Sequence, residues 1–298
     1  MSKKIGFLGL GHMGGPMAAN LIRAGHDVLA FDPVPAAREQ AREDGATIVD
    51  TAAAAAIDRD VVITMLPNGK LVLDVYAELL PAAAPETLFI DCSTIDVADA
   101  KAAAELAVGA GHRPLDAPVS GGVAGAAAGT LTFMVGGGEA EFADALDVLE
   151  VMGGKVVHCG GAGVGQAAKI CNNMLLGVSM VALSEALVLG EKLGLSHQSF
   201  FDVVSTASGQ SWALTSYCPV PGPVPTSPAN NDYQPGFATA LMNKDLGLAA
   251  NALRDNGVDG RFGLLAAETY SRFNQTDAAR DFSAIVTDIR NRSDQEGA

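Results

Sequence analysis

In the first half of the chain, short apolar runs alternate with longer stretches whose apolar residues recur at helical spacing. Residues 5–8, 28–31, 61–66, 88–90, 114–119, 131–135 and 156–158 read as strands. Residues 13–24 and 35–43 read as helices, and further helical stretches separate several of the other strands. Strands alternating with helices build βαβ units around a mostly parallel sheet. The pattern changes at Gly160-Gly161-Ala162-Gly163-Val164-Gly165, a run of breakers. A long helical stretch over 166–193 follows, then helices at 200–206, 240–256 and 263–274, with no clear strand. This places a boundary near residue 162, with an α/β domain over 1–162 and an all-α domain over 163–298. The proline-rich segment 218–237 reads either as an ordered functional loop or as a solvated surface excursion.

The first strand runs into Gly9-Leu10-Gly11-His12-Met13-Gly14, and the first helix begins there. In a G-x-G-x-x-G turn the first glycine permits the tight bend and the second lets a pyrophosphate approach the backbone. The third lets helix and strand pack closely. The free N–H groups and positive end of the helix then face the phosphates. Asp32 ends the second strand, near the spacing of about 20 residues expected of a ribose-binding carboxylate. It accepts from ribose hydroxyls and repels a 2′-phosphate. No arginine follows it directly, which favours NAD over NADP. The α/β domain is therefore a Rossmann domain, with Gly9, Gly11, His12, Met13, Gly14 and Asp32 as cofactor residues. Ligands in such sheets lie beyond the carboxyl ends of the strands. Leu66, Pro67, Asn68, Ser93 and Thr94 occupy such turns, where each also reads as an ordinary turn or helix-cap residue.

Composition narrows the class. A chain of 298 residues with 49% hydrophobic residues is globular. With 34 acidic against 19 basic residues, its formal charge of −15 argues against nucleic acid or an anionic membrane as partner. Cys92, Cys159, Cys171 and Cys218 form no CxxC pair, so neither a zinc site nor a redox motif is expected, and no metal. Isolated cysteines fit a reducing cytoplasm. Lys3 and Lys4 precede an apolar stretch, but glycines and His12 interrupt it early, so it does not read as a secretory signal. Residues 174–189 form the longest apolar region. Ser179, Ser184 and Glu185 within it favour a buried helix over a membrane span.

A nicotinamide-dependent enzyme needs a group that exchanges the alcohol proton. None of the five histidines sits where a catalyst would. Lys169 does. At about 100° per residue, Asn172 and Asn173 flank it on one face of an otherwise apolar helix. A lysine base near neutral pH needs desolvation or a nearby cation, because its ordinary pKa is about 10.4. The other reading is a snorkelling lysine with capping asparagines. Asp116-Ala117-Pro118-Val119-Ser120-Gly121-Gly122 ends a strand in a Ser-Gly-Gly turn, either a carboxylate binder or a plain glycine turn. Lys244-Asp245 lies in a helical stretch, where such a pair is usually a solvated face.

These pieces together resemble the β-hydroxyacid dehydrogenase family, in the family's order and across nearly the whole chain. The matching segments are Gly6-Phe7-Leu8-Gly9-Leu10-Gly11-His12-Met13-Gly14, the segment 116–122, the segment 163–173 and Lys244-Asp245. Ser208-Gly209-Gln210-Ser211-Trp212 and the proline loop resemble the 3-hydroxyisobutyrate dehydrogenase branch. The resemblance implies that Lys169 is the general acid/base and that Ser120, Gly121 and Gly122 hold a substrate carboxylate. It implies that Asn172 and Asn173 orient the substrate, and that Leu66, Pro67, Thr94 and Lys244 surround NAD, where Asn68 stands by its place after the strand. Trp212 and Phe237 become pocket walls, or else simply core. The implied reaction is NAD-dependent reversible oxidation of 3-hydroxyisobutyrate to methylmalonate semialdehyde, in valine catabolism, by a homodimer or homotetramer. Tartronate semialdehyde reductase, a broader short-chain 3-hydroxyacid dehydrogenase and a non-catalytic NAD-sensing module are the alternatives.

Overall fold

The computed structural model describes residues 2–296. It divides into two compact units between Lys169 and Ile170. The first unit holds β1 (Lys4–Leu8), α1 (Gly14–Arg23), β2 (Asp27–Phe31), α2 (Pro35–Glu43), β3 (Thr47–Ile48), α3 (Ala52–Ala56), β4 (Val61–Thr64) and α4 (Gly69–Leu79). It continues with β5 (Leu88–Asp91), α5 (Val97–Gly109), β6 (Arg113–Asp116), β7 (Val119–Ser120), α6 (Gly122–Ala128), β8 (Leu131–Gly137), α7 (Glu139–Met152) and β9 (Gly153–Gly160). The start of α8 (Val164–Lys192), through Lys169, also belongs to this unit.

Six strands run parallel in the order β3-β2-β1-β4-β5-β6. Every residue of β4 and β5 is buried, as a parallel sheet covered on both faces requires. Successive side chains alternate between two cores. Ile5, Phe7, Val61 and Ile63 join Met17 and Leu21 of α1 and Val148 and Leu149 of α7 on one face. Leu8, Val62 and Phe89 join Ala55 of α3, Val72, Tyr76 and Leu79 of α4 and Ala103 of α5 on the other. The strand expected over 114–119 is split. Pro118 has no N–H to give a ladder, so β6 ends at Asp116 and β7 starts at Val119. Both pieces pair antiparallel with β8, whose other edge takes β9 in parallel.

The second unit holds the rest of α8, then α9 (His197–Val204), α10 (Trp212–Thr215), α11 (Thr239–Asp255), α12 (Arg261–Asp277) and α13 (Ile285–Glu296). Among the described residues no strand follows β9, and only an isolated bridge joins Ala238 and Asp281. Its core gathers Met180, Leu183 and Leu187 of α8, Met242 and Leu246 of α11, and Tyr270 and Phe273 of α12. Gly177 lets α8 meet α11 closely, since a Cβ there would lie 2.9 Å from a Leu246 methyl. Helix α8 is long and apolar enough to cross a bilayer, and half of its apolar window is buried inside the chain.

The segment 218–237 is not a solvated excursion. Cys218, Val220, Val224, Ala229 and Tyr233 are buried in the helical core. Pro219, buried between Cys218 and Val220, brings no N–H that would need a partner there. The carbonyls are met from within the loop. Ser227 Oγ donates to Cys218 O at 2.6 Å, Asn230 Nδ2 to Val224 O at 2.8 Å, and the Tyr233 hydroxyl to Pro219 O at 2.9 Å.

Candidate functional site

The turn after β1 divides its labour among three glycines. Gly9 has φ +91°, and a Cβ there would stand 2.2 Å from the Met65 carbonyl oxygen. Gly14 lies so close to Gly9 that a Cβ would meet its carbonyl oxygen at 1.9 Å. A Cβ on Gly11 would meet nothing within 4 Å. That open space, beside an α1 N-terminus with no side-chain cap and no acidic residue in its first turn, fits a pyrophosphate. Gly11 and His12 are exposed, and Met13 is half-buried. Asp32 is buried and does more than wait for a ribose. Its Oδ2 accepts from Leu10 N–H at 2.7 Å and its Oδ1 from Val34 N–H at 2.7 Å. One carboxylate thus ties the turn to the end of β2, while each oxygen keeps a further lone pair for a hydroxyl donor.

The turns after β4 and β5 are coupled by a buried carboxylate. Asp91 Oδ1 accepts from Thr64 Oγ1 at 2.8 Å and from Ser93 Oγ at 2.6 Å. Ser93 Oγ in turn accepts from Leu66 N–H at 2.8 Å. Burial pushes Asp91 up to about 6, against the opposing pull of the Ser93 and Thr64 hydrogen bonds. Leu66 is half-buried and Pro67 exposed. Asn68 caps α4, its side chain accepting from Leu71 N–H at 3.0 Å. Thr94 follows Ser93 and is half-buried.

Asp116, at the end of β6, receives the N-terminus of α8. Its Oδ1 accepts from Gly163 N–H at 2.7 Å and its Oδ2 from Gln166 N–H at 2.8 Å. Burial raises its pKa, and the hydrogen bonds from Gly163 and Gln166 oppose the shift. The approach needs glycines on both sides. A Cβ on Gly165 would stand 2.4 Å from Met134 O, and one on Gly136 would stand 2.4 Å from Asp116 Oδ1. Lys169, one turn further along, is only 6% exposed. Ser120 is half-buried at the end of β7, and the turn after it uses φ +135° at Gly121 and +63° at Gly122. The second value lies in the left-handed region that favours glycine. Asn20 of α1 donates to Ala126 O of α6 at 2.7 Å, joining the helix of the phosphate turn to the helix after the Ser-Gly-Gly turn.

The first unit therefore holds Gly9, Gly11, His12, Met13, Gly14, Asp32, Leu66, Pro67, Asn68, Thr94, Ser120, Gly121, Gly122 and Lys169. The second unit holds the rest, in two groups. Exposed Asn172 donates to Asn173 Oδ1 at 2.9 Å, and buried Asn173 donates to Asp245 Oδ2. Asp245 is 3% exposed with Lys244 Nζ 3.5 Å from its Oδ1, so this pair is not a solvated face. In the other group Trp212 stacks on Tyr217 at 5.2 Å, Tyr217 stacks on Phe282 at 5.3 Å, and Phe237 meets Phe282 edge-on at 5.7 Å. Trp212 is 54% exposed and Phe237 half-buried, so neither is simply core.

Asp281 holds this second group, and sequence reasoning missed it. Its Oδ2 accepts from the Tyr217 hydroxyl at 2.8 Å and from Gly236 and Phe237 N–H at 3.0 Å. Its Oδ1 accepts from Ser283 N–H at 3.0 Å and Ser283 Oγ at 2.6 Å. Asp91 and Ser93 repeat that last pattern, with Ser93 N–H at 3.2 Å and Oγ at 2.6 Å. The Asp-x-Ser spacing at 91–93 and 281–283 was the available signal, because such pairs close local turns on their own backbone.

Comparison with known proteins shows the family. The family model described as the NAD binding domain of 6-phosphogluconate dehydrogenase matches residues 4–161. The model described as NAD-binding of NADP-dependent 3-hydroxyisobutyrate dehydrogenase matches residues 163–289. The chain is 56% identical to a probable 3-hydroxyisobutyrate dehydrogenase of Mycobacterium tuberculosis, covering 97% of this chain and 99% of that one. It is 49% identical to the 3-hydroxyisobutyrate dehydrogenase of Pseudomonas aeruginosa, covering 94% and 96%. A solved structure of the Mycobacterium tuberculosis 3-hydroxyisobutyrate dehydrogenase, described with L-serine, superposes with a TM-score of 0.95 at 56% identity, covering 97% of this chain and 100% of that one.

Proposed function

Because this chain belongs to the 3-hydroxyisobutyrate dehydrogenase family, we propose that it oxidises 3-hydroxyisobutyrate reversibly to methylmalonate semialdehyde with NAD, using Lys169 as general acid/base. The observation that carries this reading is the burial of Lys169, at 6% exposure, in the same compact unit as the glycine turn and Asp32. A lysine acts as a base in its neutral form, which withdrawal from water favours. NAD held by the glycine turn and Asp32 would supply the hydride acceptor for the carbon that bears the hydroxyl. Lys169 takes the hydroxyl proton in oxidation and returns it in reduction.

The remaining residues bind and orient. Gly9, Gly11, His12, Met13 and Gly14 hold the pyrophosphate, and Asp32 holds the adenosine ribose. Leu66, Pro67, Asn68, Thr94 and Lys244 complete the cofactor site. Ser120, Gly121 and Gly122 hold the substrate carboxylate, Asn172 and Asn173 orient the hydroxy acid, and Trp212 and Phe237 wall its pocket. Fixing the carboxylate end aligns the reacting carbon and lowers the entropic part of the barrier. The functional domains are 1–162 for NAD and 163–298 for substrate and oligomerisation. The partner is a small 3-hydroxy acid, the compartment is the cytoplasm, and the net charge of −15 disfavours nucleic acid and anionic membranes. Exposed apolar side chains on the helical unit, Leu175 at 67%, Phe262 at 77% and Leu265 at 55%, support a homo-oligomer.

Lys169→Ala tests the assignment. Its kcat falls ~10²–10⁴-fold, the usual worth of a general base, while NAD affinity measured by titration stays near that of the parent. Near-normal turnover in the variant excludes Lys169 as the base.

A further inference from the structure

Gln166 is wholly buried and uses both ends of its amide. Nε2 donates to Ser93 O at 2.7 Å, and Oε1 accepts from Ile95 N–H at 3.1 Å. A carbonyl can only accept and an N–H can only donate, so the amide has a single workable orientation. The two bonds bracket Thr94. Ser93 is itself held by Asp91 and holds Leu66 N–H through its hydroxyl. Both turns assigned to the cofactor, 66–68 and 93–94, are thereby tied through one side chain to the first turn of α8. Asp116 holds that same turn by the N–H groups of Gly163 and Gln166. Lys169 follows three residues on, where helical neighbours stand about 5–6 Å apart at Cβ.

We propose that Gln166 is a positioning residue for the dehydrogenase reaction, setting the first turn of α8, and with it Lys169, against the two cofactor turns. The proposal rests on the reading of Lys169 as the base. Both ends of the Gln166 amide are engaged by backbone groups, so its role is to position and not to react. A residue that merely fills space would tolerate methionine, which is close in length and volume. A residue that fixes register would not, because the two bonds to Ser93 and Ile95 would be lost.

The test uses Gln166→Met, Gln166→Glu and Lys169→Ala in the full-length enzyme, with folding checked by circular dichroism and thermal melting. For folded Gln166→Met, kcat falls ~10–100-fold, as misalignment of a catalytic group does. The KM for 3-hydroxyisobutyrate changes less than about threefold. Gln166→Glu adds a readout that space-filling does not move. A protonated carboxyl can donate to Ser93 O and accept from Ile95 N–H, whereas an ionised one sets an oxygen against the Ser93 carbonyl. The charged and titratable groups around it are Asp116 on β6, Asp91 through Ser93, and Lys169 on its own helix. The ratio of Gln166→Glu to parent kcat therefore rises as pH falls. A folded Gln166→Met with kcat within about twofold of the parent, or a Gln166→Glu ratio that is flat with pH, overturns the proposal. So does failure of both variants to fold, which would assign Gln166 to structure alone. If Lys169→Ala is inactive while Gln166→Met is normal, only this proposal fails. If Lys169→Ala turns over normally, the reading beneath it fails.

Discussion

Gly11 and Gly14 belong to one turn, yet a methyl group at each meets different surroundings. At Gly14 it strikes the Gly9 carbonyl, and at Gly11 it enters open space. Gly14→Ala is expected to destabilise the fold by about 1–3 kcal/mol, the usual cost of overpacking, seen as a lower urea midpoint. Gly11→Ala is expected to keep the parent midpoint and to weaken NAD about tenfold or more in a binding titration. The ionised carboxylates make a second prediction at this scale. Asp91 stands at about 6 in the fold against 3.8 in an unfolded chain. Between those values the folded state binds more protons, so its contribution to stability falls as pH rises through that window and is level above it. Asp91→Asn should remove this slope and gain on the parent by the order of 1–3 kcal/mol at about pH 7, measured by urea unfolding at about pH 4 and about pH 7. The glycine tasks and the place of Asp32 were readable from spacing alone, because a phosphate turn is local. The long-range partners of Asp91, Asp116 and Asp281 were not, since the Thr64 hydroxyl, the Gly163 N–H and the Gly236 N–H each lie far away in sequence.

Helices and strands were legible where periodicity was strong, as in β1, β4, β5 and α8. They were less so where one residue decides, as Pro118 does between β6 and β7. The segment 218–237 reads two ways in the sequence, because its composition is that of a solvent-exposed loop. Its apolar residues instead pack into the helical core, and Ser227, Asn230 and Tyr233 satisfy the carbonyls of Cys218, Val224 and Pro219. At the far end of α8, Glu191 binds Arg290 of α13 through two hydrogen bonds, at 2.9 and 2.6 Å, and His197 of α9 at 2.6 Å. The Arg290 guanidinium, with His197 adding to it, holds the Glu191 carboxyl down to about 2, below its ordinary 4.5. This stabilisation is present above about 4.5 and is lost as pH falls toward 2. Glu191→Gln is therefore expected to lower the melting temperature near neutral pH and to show a shallower decline than the parent on acidification. Parallel melting curves for the two across that range would contradict the tie.

For the whole molecule, two family models lie end to end over residues 4–161 and 163–289, and the likeness to the Mycobacterium tuberculosis enzyme covers 97% of the chain. Oligomerisation is checked by sedimentation equilibrium, where the exposed Leu175, Phe262 and Leu265 predict a mass above that of one chain. The order of elements and the change from α/β to all-α were visible in the hydropathy pattern. The substrate was visible only through resemblance, because no single residue of the Ser-Gly-Gly turn or of the Lys169 helix specifies one hydroxy acid over another. The second family model carries an NADP-dependent description, whereas the proposal for this chain is NAD, on the Asp32 carboxylate at the end of β2. One measurement addresses reaction and cofactor together, namely the initial rate of reduced-cofactor formation with 3-hydroxyisobutyrate, glycerate and 3-hydroxypropionate, each with NAD and with NADP. The highest kcat/KM is expected for 3-hydroxyisobutyrate with NAD. Equal values across the acids, or a preference for NADP, would contradict the account.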